Sequence, residues 1–232
     1  MRRRTFHALV TADGDAPDRA ALDAAWPRWS DGIGLVVAAD AGAEAAERLG
    51  FAIDVIVGDG DSLGEESLAR FAAGGVAIQR SPADKDETDT ELAIVEARRR
   101  GADRITIVGA LGGARVDHAL ANVELLAHPA LSGVDAAILD AHARISLVRA
   151  PGDDGLPVEV TLPGSVGGIV SLIPLGEVVG VSTSGFRYPL HDEPLHVGPA
   201  RGLSNVRLDE GAAVVVRSGL LLVVETPVTL DP

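Results

Sequence analysis

Up to Ala150, short β-branched apolar runs alternate with stretches of helical period. The runs Thr5–Val10, Gly34–Ala39, Asp54–Val57, Val76–Gln79, Arg104–Val108 and Ala136–Leu139 read as strands. Between several of them lie amphipathic segments. Ala43–Leu49 stops at Gly50, a residue suited to the left-handed end of a helix. Ser62–Ala73 ends at Gly74-Gly75. Thr88–Arg100 opens with Thr88 three residues before Glu91, the spacing of a capping box, and closes on Arg98-Arg99-Arg100 before Gly101. Asp117–Ala127 is bounded by Pro129. Strands alternating with helices predict a doubly wound, mainly parallel α/β sheet.

The pattern changes at Ala150-Pro151-Gly152-Asp153-Asp154-Gly155, a polar, turn-rich stretch that reads as a linker. Beyond it, Val158–Leu162, Ile169–Ile173, Val178–Ser182 and Ala212–Val224 lack any helical period, and Ser218-Gly219 splits the last as a hairpin turn would. This half is expected to be a small antiparallel β-sandwich or barrel. The predicted organisation is an α/β unit over 1–149 and a β unit over 150–232.

Composition narrows the function. The 232 residues are 47% hydrophobic and 23% charged, as in an ordinary folded protein. No apolar stretch approaches the roughly 20 residues that cross a bilayer, and Met1-Arg2-Arg3-Arg4 with Thr5–Thr11 reads as a first strand rather than a signal peptide. No membrane association is expected. Zero Cys excludes thiolate metal sites and fits a cytoplasmic setting. With 20 Lys+Arg against 34 Asp+Glu, the net charge of −14 argues against sequence-independent nucleic-acid binding. Divalent cations would still allow such a chain to hold a polyphosphate.

Ligands of open α/β sheets bind beyond the carboxyl ends of the strands. Asp40 follows the second run, and Asp59-Gly60-Asp61 follows the third. In extended backbone Asp59 and Asp61 would face the same way; their mutual repulsion calls for a neutralising ion, and magnesium takes such hard oxygen ligands. Asp-Gly-Asp is also a common turn, and it is the company of Asp40 and Asp89 that favours metal. The loop Asp84-Lys85-Asp86-Glu87-Thr88-Asp89 opens a helix. Capping accounts for Asp86 and Asp89 but not for Lys85, which the helix dipole disfavours there and which suits phosphate. Gly109–Gly113 before Asp117-His118 is a glycine-rich turn onto a helix, suited to phosphate or to plain connection. His118 is a candidate acid or base and equally a structural residue.

These motifs, taken in order, resemble the thiamine pyrophosphokinase family. The resemblance runs through Ala39-Asp40-Ala41-Gly42-Ala43, Asp54–Ser62, Asp84–Asp89, Gly112–His118 and Leu120-Ala121-Asn122. It continues in Val170–Leu175, Gly185–Leu190 and Leu203-Ser204-Asn205. It implies an α/β domain followed by a β-sandwich, a homodimer, and transfer of the terminal diphosphate of ATP to the thiamine hydroxyl, releasing AMP. It also implies that Asp40, Asp59, Asp61 and Asp89 form the acidic Mg2+ and diphosphate centre, and that Lys85, Thr88 and Arg115 contact phosphate with His118 beside them. Asp117 would lie near the reacting groups, and Ser204-Asn205 would help form the thiamine pocket across the dimer. Either Asp86 or Asp117 would accept the hydroxyl proton. Gly60, Ala41, Val206 and the extra Ala114 depart from the family pattern. Two other functions fit the same residues: diphosphate transfer to another heterocyclic alcohol such as a pterin, and a non-catalytic nucleotide- or thiamine-phosphate sensor.

Overall fold

The computed structural model describes residues 5–228; the basic opening Met1-Arg2-Arg3-Arg4 lies outside them. The chain forms two compact units that divide between Ala141 and His142.

In the first unit the order is β1 (His7–Thr11), α1 (Arg19–Ala25), β2 (Ile33–Ala39), α2 (Gly42–Arg48), β3 (Val55–Gly58) and α3 (Glu65–Ala73). β4 (Ala77–Arg80), α4 (Asp89–Arg99), β5 (Arg104–Val108), α5 (Val116–Glu124) and β6 (Asp135–Leu139) follow. Every pairing is parallel, and the spatial order is β6-β5-β1-β2-β3-β4. The chain thus winds outward from β1 in one direction and then returns to its other side, placing a topological switch between β1 and β5. β1 and β3 are buried along their whole length. That is the mark of strands covered on both faces, and it explains their continuous apolar runs.

Two local differences from the expected pattern have clear causes. α1 has a single buried residue, Leu22, so its apolar stripe is too thin to read; Asp18 caps it by accepting the Ala21 N–H at 2.8 Å. α3 starts at Glu65 rather than Ser62 because the Ser62 and Leu63 N–H groups donate to Asp40 instead of entering a helix.

The second unit holds β7 (Arg144–Ala150), β8 (Val158–Thr161), β9 (Ile169–Pro174), β10 (Val178–Ser184), β11 (Glu193–Leu195), β12 (Asn205–Val206) and β13 (Ala213–Thr226). β7, expected in the α/β half, belongs here through its antiparallel pairing with β13. The expected hairpin at Ser218-Gly219 does not form. β13 is one strand of 14 residues whose first half pairs with β8 and β10 and whose second half pairs with β7 and β9. Gly219, at φ 111°, marks the crossover, where a Cβ would collide with the Glu177 carbonyl oxygen. A glycine kink carries a strand from one sheet to the other without ending it. Val148, Val170, Leu172, Val178, Val181, Val214, Val216, Leu221 and Val223 form the apolar core of this sandwich.

Candidate active site

Three carboxylates meet beyond the carboxyl ends of β2 and β3. Asp40, Asp59 and Asp89 each bring an oxygen within 4.8 Å of the other two. Asp40 ends β2 in the left-handed region, at φ 43°, with its N–H on the Val57 carbonyl at 2.9 Å. Its carboxylate accepts the Ser62 and Leu63 N–H groups, both at 3.1 Å. Burial pushes the Asp40 carboxyl up; those two N–H groups oppose the rise, and the Asp89 charge adds to it. Gly58 floors the cluster. A Cβ there would lie 3.1 Å from Asp40 Cβ and 3.2 Å from both Asp89 Cγ and Oδ1.

Asp89 is the first residue of α4, and its Oδ1 is buried from solvent. The cation facing it is Lys85, whose Nζ lies 3.0 Å from Asp89 Oδ1 and 3.7 Å from Asp59 Oδ2. Burial alone would lower the Lys85 ammonium, but Asp89, Asp59 and Asp61 together hold it above its ordinary value. An oxygen-only donor set around a glycine-floored recess fits a hard divalent cation. Lys85 supplies part of the positive charge that the set requires.

Asp61 stands apart from these three. The Asp59-Gly60-Asp61 segment is a turn rather than extended backbone, with Gly60 at φ 84° and the Asp61 N–H donating to Asp59 Oδ1 at 3.1 Å. That bond is the largest influence holding the Asp59 carboxyl low. Asp61 is exposed and accepts the Ser62 hydroxyl at 3.2 Å. Asp86 is exposed on its loop. Asp13, just past β1, is a further member that sequence reasoning missed. Loss of solvation raises its carboxyl first, the Ser62 side chain opposes, and the charges of Asp61, Asp89 and Glu44 add. An acidic residue directly after an apolar run, the signal that singled out Asp40, would have found it.

The glycine loop sits at the switch point. Gly14 N–H donates to the Gly109 carbonyl at 2.8 Å, and Gly113 N–H donates to Asp15 Oδ2 at 2.9 Å. Asn122 Nδ2 ties α5 back to the Ala110 carbonyl at 3.0 Å. Arg115 and Asp117 form an exposed pair, with Nη2 donating to Oδ2 at 2.5 Å. The guanidinium holds the Asp117 carboxyl well below the usual carboxylate range. His118 is exposed in the first turn of α5. Thr88 is the N-cap of α4, its hydroxyl oxygen accepting the Glu91 N–H at 3.1 Å.

In the second unit Ser204 is exposed at φ 55° and donates its N–H to Ser171 Oγ at 3.0 Å. Asn205 is buried with both amide atoms engaged: Oδ1 accepts the Tyr188 N–H at 3.0 Å and Nδ2 donates to the Tyr188 carbonyl at 2.7 Å. Tyr188, the only tyrosine of the chain, is 57% exposed. Asn205 therefore fixes the backbone of an exposed aromatic residue.

Fold and site define an α/β protein with an acidic cluster beyond the carboxyl ends of β2 and β3 and a glycine loop at its switch point, joined to an antiparallel β-sandwich. Residues 28–138 match the pattern described as "Thiamin pyrophosphokinase, catalytic domain", and residues 158–221 match "Thiamin pyrophosphokinase, vitamin B1 binding domain". The thiamine pyrophosphokinase of Bacillus subtilis is 28% identical over 170 residues, spanning 73% of this chain and 76% of that protein. A crystal structure of a thiamin pyrophosphokinase family protein from Enterococcus faecalis has a TM-score of 0.77 and 26% identity, covering 98% of this chain and all of that one. The thiamin pyrophosphokinase of Candida albicans, at 15% identity, shares the fold with a TM-score of 0.77 over 96% of this chain and 89% of its own. The chain belongs to the thiamin pyrophosphokinase family, a family of diphosphotransferase enzymes that use ATP as co-substrate. Among the described residues, no helix is long and apolar enough to cross a membrane.

Proposed function

We propose that this chain transfers the terminal diphosphate of ATP to the hydroxyl of thiamine, giving thiamine diphosphate and AMP. The observation that carries this reading is the meeting of Asp40, Asp59 and Asp89 over Gly58 in a chain matched by both halves of the family pattern. The first unit serves as the nucleotide and metal unit. The second binds thiamine and supports a homodimer, in a cytoplasmic setting that the cysteine-free composition fits.

Asp40, Asp59 and Asp89 would hold magnesium, with Asp61 reaching it from the exposed side of the turn. Bound there, magnesium would neutralise charge on the transferring phosphates. The hydroxyl oxygen of thiamine bonds to the β-phosphorus as the bond from that phosphorus to the α,β-bridging oxygen breaks, and AMP leaves with the electron pair. Lys85, nearly buried and held protonated by its neighbours, lies where it can contact the polyphosphate. The hydroxyl proton passes to Asp86 or Asp117. Paired with Arg115, Asp117 is a weak proton acceptor. Phosphate drawing the guanidinium away would restore its basicity, which links proton acceptance to occupancy by ATP.

Supplying ATP with thiamine and a hydroxymethyl pterin together tests the reading. Diphosphate recovered on thiamine alone supports it. Diphosphate on the pterin would favour the related transferase, and binding without transfer would favour a sensor.

A further inference from the structure

The second unit also holds a buried ionic group. Glu225, near the end of β13, and Arg207, two residues beyond Asn205, are 5% and 4% exposed. Arg207 Nη2 donates to Glu225 Oε2 at 2.8 Å, and Arg144 Nη1 donates to Glu225 Oε1 at 2.6 Å. The backbone closes around the guanidinium so tightly that a Cβ at Gly164 would collide with Arg207 Nη1. Arg207 Nε is buried and makes no hydrogen bond. An ion pair taken this far out of water, and incompletely satisfied, is a poor source of stability, since desolvation offsets the attraction between the charges. Its best-attested use is to enforce one register.

Register is what this corner lacks. β12 has only two residues, paired as Asn205 with Val170 and Val206 with Ile169. Slipping such a strand by one residue turns every side chain to the other face. Asn205 would then leave Tyr188, whose backbone it holds. Across the sheet, Arg144, Glu225, Val170 and Asn205 are successive partners in one row through β7, β13, β9 and β12. Beyond that row the Arg207 N–H donates to the Gly168 carbonyl, and the Arg207 carbonyl accepts the Gly167 N–H, both at 2.9 Å.

We propose that the Arg207–Glu225–Arg144 group is a register lock that positions Asn205 and Tyr188, and through them the acceptor. The last step rests on assigning acceptor recognition to this corner. Arg207 and Glu225 are positioning residues, acting through Asn205 and Tyr188. A guanidinium with one carboxylate partner admits one register, whereas apolar side chains of similar volume would pack in several.

The test replaces the two buried members, Arg207→Met with Glu225→Leu, in the full chain; Arg144, with its side chain 30% exposed, is left to solvent. Such an exchange of a buried pair for apolar groups tends to leave stability unharmed. Because Tyr188 is the only tyrosine, incorporated 3-fluorotyrosine reports this corner by a single 19F resonance. The lock predicts that this line splits or broadens in the folded double variant, with the KM for thiamine rising about tenfold and that for ATP staying within about twofold. An unchanged line with an unchanged thiamine KM overturns the proposal. A split line with unchanged thiamine KM leaves the lock standing and removes the acceptor reading of the corner. If the double variant does not fold, Arg207→Lys carries the test. It keeps a charge without the planar fork, so a weaker form of both changes is expected, and their absence overturns the lock.

Discussion

Lys85, in the loop before α4, meets Asp89 four residues on, Nζ to Oδ1 at 3.0 Å, and Asp59 Oδ2 lies 3.7 Å from the same ammonium. The lysine sits at a helix start, where the dipole disfavours it, and is 12% exposed there. It stays because the carboxylates outweigh the dipole. Lys85→Met leaves them uncompensated. The metal-free variant should melt at a lower temperature than the native chain, and magnesium should recover part of the difference. Turnover should fall by tenfold or more, since an exposed surface pair worth under about 1 kcal/mol would leave kinetics almost untouched. Steady-state kinetics in ATP and melting curves with and without magnesium check both halves.

Gly58→Ala places a methyl group against Asp40 and Asp89 at a backbone φ of 152° that side chains rarely adopt. The recess is filled rather than neutralised. Magnesium affinity, measured by calorimetry, should weaken about tenfold or more, even in preparations whose circular dichroism matches the native chain. Unaltered affinity would show that the metal does not use this floor.

Asp13 gives a pH dependence whose sign is fixed by its environment. Its carboxyl is raised above the ordinary value, so in the metal-free protein its charged form costs stability, and that cost grows as pH rises through the raised value. Asp13→Asn should therefore raise the melting temperature at neutral pH. The gain should shrink as pH falls into the carboxylate range, where native Asp13 takes up its proton. Melting curves across that range read the effect. A gain that grew toward acid would contradict the assignment.

Asn205→Ala removes both hydrogen bonds to the Tyr188 backbone. The KM for thiamine should rise about tenfold while that for ATP stays within about twofold, because a site that loses orientation of one recognition group discriminates less among acceptors. Parallel rises in both would point to general loosening of the sandwich.

Much of this was legible in the residues because one physical signal governed it. Apolar runs such as Leu35–Ala39 and Val55–Val57 are strands buried on both faces, and the acidic residues after them, Asp40 and Asp59, lie where parallel sheets bind ligands. Three features were hidden, each for its own reason. Asp59 and Asp61 share a turn, because Gly60 takes positive φ, and local spacing cannot distinguish that from extended backbone. Ser218-Gly219 has hairpin composition, yet pairings with four other strands carry β13 through it. Ser204-Asn205 is tied to the thiamine pocket by resemblance alone, and only the fold shows the Asn205 amide bonded to the Tyr188 backbone, with Arg207 and Glu225 joined across 18 residues of sequence.

The central claim is that the Asp40–Asp59–Asp89 centre drives diphosphate transfer from ATP to thiamine. Its most direct test is the stoichiometry of AMP and thiamine diphosphate formed by the purified full-length protein, with Asp89→Asn alongside. The account predicts the two products in equal amounts, only when thiamine and a divalent cation are both present, and neither product from a folded Asp89→Asn chain. AMP formed without thiamine, transfer that persists after chelation of divalent cations, or native turnover by Asp89→Asn would contradict it.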